Sequence, residues 1–163
     1  MATDLYELLG VSRSDIGDAG FHERALPFCQ KQAGHSDEVW ATFSKHLRYC
    51  AADATTYDDW PTIEKAIAEL GDEFDTGGNI LFYLSLAPQL YEPVIENIGK
   101  SGLVSDASRF CEPDENPPWQ RIVVEKPFGD DLESAEHLNR VLARVFPEEQ
   151  TYRIDHYLGK ETV

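Results

Sequence analysis

The chain has 163 residues, enough for one domain with a sizeable core, and its 42% hydrophobic and 27% charged content is ordinary for a soluble globular protein. A formal net charge of −16 argues against nucleic acid or an anionic membrane as partner, since both demand basic surface. No apolar run is long enough to span a bilayer, MATDLYELLG lacks the pattern of a signal peptide, and Cys29, Cys50 and Cys111 form neither a closed disulfide framework nor a CxxC metal or redox motif, so the cytoplasm is the default compartment.

In chain order, Tyr6–Val11 (YELLGV) predicts a buried strand ended by Ser-Arg-Ser-Asp. A helix is expected over Ile16–Gln32, kinked or split at Leu26-Pro27. Asp37 is expected to cap a helix running to His46, and Leu47–Ala52 reads as the next strand. Pro61 sits in the first turn of a helix whose apolar positions are Ile63, Ala66, Ile67 and Leu70, with a loop over Gly71–Gly78. Asn79–Leu86 (NILFYLSL) is nearly continuous in apolar residues, the pattern of a strand covered on both faces. A helix over Gln89–Ile98 follows, then an aperiodic loop over Gly102–Pro118. Arg121–Glu125 (RIVVE) is a short β-branched strand. Asp130 with Glu133 reads as a capping-box-like start of a helix buried along Leu132, Ala135, Leu138, Leu142 and Val145. Thr151–Ile154 is the last strand.

Strands alternating with helices across short connections mean an α/β fold, a doubly wound parallel sheet with helices on both faces. Ligands of such sheets bind beyond the carboxyl ends of the strands. The residues there include Arg13, Lys126, His156 and Lys160, and converging cations in so acidic a chain point to an anionic ligand, most simply a phosphate. Taken singly, Lys126 or Lys160 reads as a solvated loop lysine; the company of Pro-Phe-Gly and Asp-His-Tyr favours a site. Pro127 holds Lys126 extended, and Gly129 lets the chain turn into the next helix.

EKPFG (Glu125–Gly129) followed by RIDHYLGKE (Arg153–Glu161) resembles the paired motifs of the glucose-6-phosphate dehydrogenase family. GVSRSD (Gly10–Asp15) is similar to that family's second-strand turn, and FYLSLAPQLYEPV (Phe82–Val94) to its fourth-strand region. The resemblance covers nearly the whole chain, with Gly17–Gly78 and Gly102–Pro118 matched loosely. It implies oxidation of glucose 6-phosphate at C1, with hydride passing to NADP (NAD remaining possible), by an intact enzyme that is a homo-oligomer. By the same resemblance Arg13 would bind the adenosine 2′-phosphate and Tyr91 would contact the cofactor. Lys126 would hydrogen-bond cofactor and sugar, while His156, Tyr157 and Lys160 would hold the sugar phosphate. Asp155 would orient the catalytic histidine, which the resemblance places outside this sequence. No metal is implied.

Residues 1–163 thus read as a partial NAD(P)-binding Rossmann domain, ending just after the substrate-phosphate motif. The family's Gly-rich phosphate loop has no counterpart here, so the first strand is expected to be missing, leaving Tyr6–Val11 without its central neighbour. Ala87 stands where the family commonly has a proline. On this reading the polypeptide alone is expected to be inactive and marginally folded. The alternative function is a non-catalytic sugar-phosphate-binding or subunit-assembly module.

Overall fold

The computed structural model describes residues 6–104, 118–129 and 131–155. Its elements alternate as predicted: β1 (Leu8–Ser12), α1 (Gly17–Cys29), α2 (Asp37–Phe43), β2 (Leu47–Ala51), α3 (Trp60–Phe74), β3 (Ile80–Leu84), α4 (Tyr91–Ser101), β4 (Gln120–Glu125), α5 (Leu132–Ala143) and β5 (Thr151–Ile154). Among the described residues all ladders are parallel, and they form two sheets, β1–β2 and β3–β4–β5. The fold is therefore α/β, with β1 to α3 making one compact unit and β3 to β5 the other.

In the first unit helices lie on both faces of the sheet. Phe21 of α1 packs on Tyr49, with ring centroids 5.5 Å apart. On the opposite face Arg48 reaches α3, pairing with Glu73 at 3.4 Å and lying 5.9 Å from the Phe74 ring centroid. Gly10 lets α1 approach closely, because a Cβ there would come within 2.9 Å of the Phe21 ring and force it to shift.

The second unit holds the denser core. Ile122 and Val124 of β4 are fully buried beneath Ile95 and Ile98 of α4, Val141 and Leu142 of α5, and Phe146. Each such side chain contributes about 1.5–3 kcal/mol by leaving water. The other face of this sheet is open among the described residues: Leu81 is 53% exposed, Tyr83 50% and Tyr152 44%. The near-continuous apolar run of β3 had suggested cover on both faces. Burial alternates instead, because the described helices of this unit cover one side.

Several local expectations are corrected. Helix α1 is not split at Pro27, which falls in its last turn, and runs on to Cys29. The cap of α2 is Ser36, not Asp37: the Val39 N–H donates to its Oγ at 3.2 Å. Helix α3 runs past Gly71 to Phe74, stopped by Asp75 in the left-handed region at φ 50°. Helix α5 is capped by Asp131, not Asp130. Asp131 Oδ1 accepts from the Ser134 N–H at 2.8 Å and Ser134 Oγ accepts from the Asp131 N–H at 3.1 Å, so Ser134 takes the part assigned to Glu133. Leu132 is 75% exposed and lies outside the buried stripe, whereas Val141 is buried.

Candidate ligand site at the strand ends

β4 and β5 run side by side, pairing Glu125 with Ile154, so the residues after them emerge together. The Lys126 N–H donates to the Ile154 carbonyl at 3.1 Å, carrying the ladder one step past the strand. From there Lys126 Nζ donates to Asp155 Oδ2 at 2.6 Å, with the lysine side chain 54% exposed and the aspartate 21%. A charge-assisted bond of that length fixes the ammonium in direction while leaving much of it in solvent.

The segment bearing the lysine is held from behind. Tyr91, 1% exposed at the start of α4, donates its hydroxyl to the Glu125 carbonyl at 3.0 Å. Tyr83 donates to the Glu125 carboxylate, so the residue before Lys126 is gripped at both main chain and side chain. Burial pushes the Tyr91 phenol above its ordinary value, and the Glu125 charge adds in the same direction. The bond to Glu125 does the same for Tyr83, reinforced by burial and by the carboxylate charge. Both phenols therefore stay protonated donors.

The Lys126-Pro127 peptide bond is cis. Two residues on, Gly129 adopts φ 105°, and a Cβ there would lie 2.6 Å from Ser134 Oγ and 2.8 Å from the Ala135 nitrogen. Only glycine fits this turn onto the start of α5. Arg153 points elsewhere: it donates to Glu148 at 2.7 and 3.1 Å and to Asn139 at 3.0 Å, and its hydrogen bonds, reinforced by its charge, hold the Glu148 carboxyl below its usual range.

Of the residues singled out in the sequence, the structure brings Lys126 and Asp155 into direct contact and sets Tyr91 beneath the preceding peptide. His156, Tyr157 and Lys160 lie outside the described residues. Arg13 belongs to the other unit, exposed on the turn after β1. The Tyr83–Glu125 contact was missed; it spans 42 positions and left no local pattern to find.

With this geometry in hand, comparison with known proteins is decisive. Residues 2–163 match the family model described as glucose-6-phosphate dehydrogenase, NAD binding domain. The chain belongs to that family. Among curated relatives, it is 40% identical over 158 residues to the glucose-6-phosphate 1-dehydrogenase of Aggregatibacter actinomycetemcomitans, covering 97% of this chain and 30% of the relative. It is 34% identical over 160 residues to glucose-6-phosphate 1-dehydrogenase 2 of Mycobacterium bovis, again covering 97% and 30%. A solved glucose-6-phosphate dehydrogenase in complex with its substrate glucose-6-phosphate superposes with a TM-score of 0.76 at 32% identity, over 95% of this chain and 30% of that one. The Mycobacterium avium enzyme gives 0.71 at 31% identity, over 97% and 31%. The chain thus spans about 30% of the length of the curated relatives it matches.

Proposed function

We propose that this chain is the cofactor-binding portion of an NADP-dependent glucose 6-phosphate dehydrogenase, which converts its sugar to 6-phosphogluconolactone at the entry to the pentose phosphate pathway. The observation that carries the reading is the Lys126–Asp155 pair at 2.6 Å, standing at the ends of adjacent parallel strands. That is where an α/β sheet offers its side chains to ligands.

The residues present fit a nicotinamide dinucleotide. Arg13 follows a parallel strand, its side chain exposed, and no ion pair among the described residues engages it. A guanidinium so placed suits the 2′-phosphate of NADP. When bound, the cofactor supplies the acceptor for the hydride leaving C1. An ammonium has three donors; Lys126 gives one to Asp155 and can offer the others to a sugar hydroxyl and to the cofactor. His156, Tyr157 and Lys160 hold the sugar phosphate by charge and hydrogen bonding. Asp155 orients the histidine that takes the C1 hydroxyl proton, contributed from outside this sequence. Tyr91, buried with its hydroxyl on the Glu125 carbonyl, serves the cofactor by holding the backbone that carries Lys126. The intact enzyme works in the cytoplasm as a homo-oligomer.

Calorimetry with glucose 6-phosphate tests this directly. Lys126→Ala and Lys160→Ala are each expected to weaken binding by about tenfold or more, the loss of a charge-assisted contact. Unchanged affinity in both would overturn the assignment. Retained affinity with no hydride transfer by the intact protein would favour the non-catalytic module instead.

A further inference from the structure

From the neighbouring strand, Tyr49 reaches the turn that carries Arg13. Tyr49 lies on β2 opposite Gly10, and the Phe21 ring fills the space that Gly10 leaves while packing against the Tyr49 ring at 43°. Held in this way, the phenol extends along β1 to the turn beyond it. Its hydroxyl lies 2.6 Å from the Ser14 carbonyl and 3.3 Å from the Ser12 carbonyl, the two residues that flank Arg13. The Ser12 carbonyl already accepts from the Ala52 N–H at 3.0 Å, so the hydroxyl proton goes chiefly to Ser14. The main chain of Tyr49 ties down the next step as well, its N–H donating to Asp18 Oδ1 at 2.6 Å in the first turn of α1. One tyrosine thereby brackets the turn from which the Arg13 side chain departs.

We propose that Tyr49 is the positioning residue that aims Arg13, and that it thereby sets the preference for a 2′-phosphorylated adenosine over an unphosphorylated one. This rests on the reading of Arg13 as the 2′-phosphate partner. An arginine on an unrestrained turn spends binding energy on ordering itself; a clamped turn removes that cost for the phosphorylated ligand alone, because only that ligand meets the guanidinium.

The test titrates the chain with 2′,5′-ADP and with 5′-AMP, in wild type, Tyr49→Phe and Arg13→Ala. Phenylalanine keeps the packing on Phe21 and removes only the hydroxyl. Wild type should favour 2′,5′-ADP, Arg13→Ala should abolish the preference, and Tyr49→Phe should reduce it about fivefold, the size of one net hydrogen bond, with 5′-AMP affinity unchanged. A preserved preference in Tyr49→Phe alongside its loss in Arg13→Ala would overturn the role of Tyr49 and leave Arg13 standing. No preference in wild type, or none lost in Arg13→Ala, would overturn the Arg13 reading and this proposal with it. A measurement on wild type alone guards against a variant that fails to fold. The Arg13 amide should show a rigid-backbone order parameter of about 0.85, and a value under about 0.6 would refute the clamp.

Discussion

The ends of β1 and β4 solve the same problem differently. Each presents one cation just past a parallel strand. Lys126 arrives with a counter-ion at 2.6 Å, and it stands on β4, whose Ile122 and Val124 are fully buried. Arg13 has an exposed side chain just past a strand whose Leu8 and Val11 are 40% and 36% exposed, with its turn restrained by a phenol from the neighbouring strand. On the proposed function, a lysine between two ligands gains from a partner that fixes its direction, and an arginine that receives a phosphate gains from having its charge uncommitted.

The largest effect that separates the two ends is on stability. Ile122→Ala on β4 is expected to cost about 3 kcal/mol, whereas Val11→Ala on β1 should cost about 0.5 kcal/mol. Denaturant unfolding checks both, and equal costs would erase the contrast. Next in size, Asp155→Asn in the intact enzyme should lower kcat about tenfold with KM little changed, since it misdirects groups that act in the transition state without touching the phosphate. A rise in KM alone would move Asp155 to ground-state binding.

Smaller still is the grip on Glu125. Tyr83→Phe should cost about 1 kcal/mol at neutral pH. Because the Tyr83 phenol is pushed up in the folded chain, its contribution is complete below the ordinary tyrosine range and lost as pH rises through the raised value. Thermal melts of wild type and Tyr83→Phe should therefore converge at alkaline pH. A gap that persisted there would mean the hydroxyl does not act as a protonated donor to Glu125.

Much of this was legible in the sequence, for physical reasons. YELLGV, NILFYLSL and RIVVE announce parallel strands because apolar side chains are needed wherever a sheet is covered, and EKPFG marks the end of β4. The burial expected of YELLGV is not found: Tyr6 is 66% exposed, Leu8 40% and Val11 36%. Caps were misread by one residue twice, at Ser36 and Asp131, since Asp, Ser and their neighbours all have suitable oxygens and only backbone geometry chooses among them. The exposure of Leu81 and Tyr83 was hidden because an apolar strand looks the same whether one face or both are covered. Tyr49 on Ser14, 35 positions away, and Tyr83 on Glu125, 42 positions away, had no local signal at all.

The central claim is that adjacent strand ends deliver the Lys126 ammonium to a phosphorylated sugar. Nitrogen-15 labelling of the lysines allows that ammonium to be followed as ligand is added, with Lys126→Arg assigning its signal. Glucose 6-phosphate should shift it saturably and glucose should not. An unmoved signal at saturating glucose 6-phosphate, or an equal response to glucose, would contradict the account.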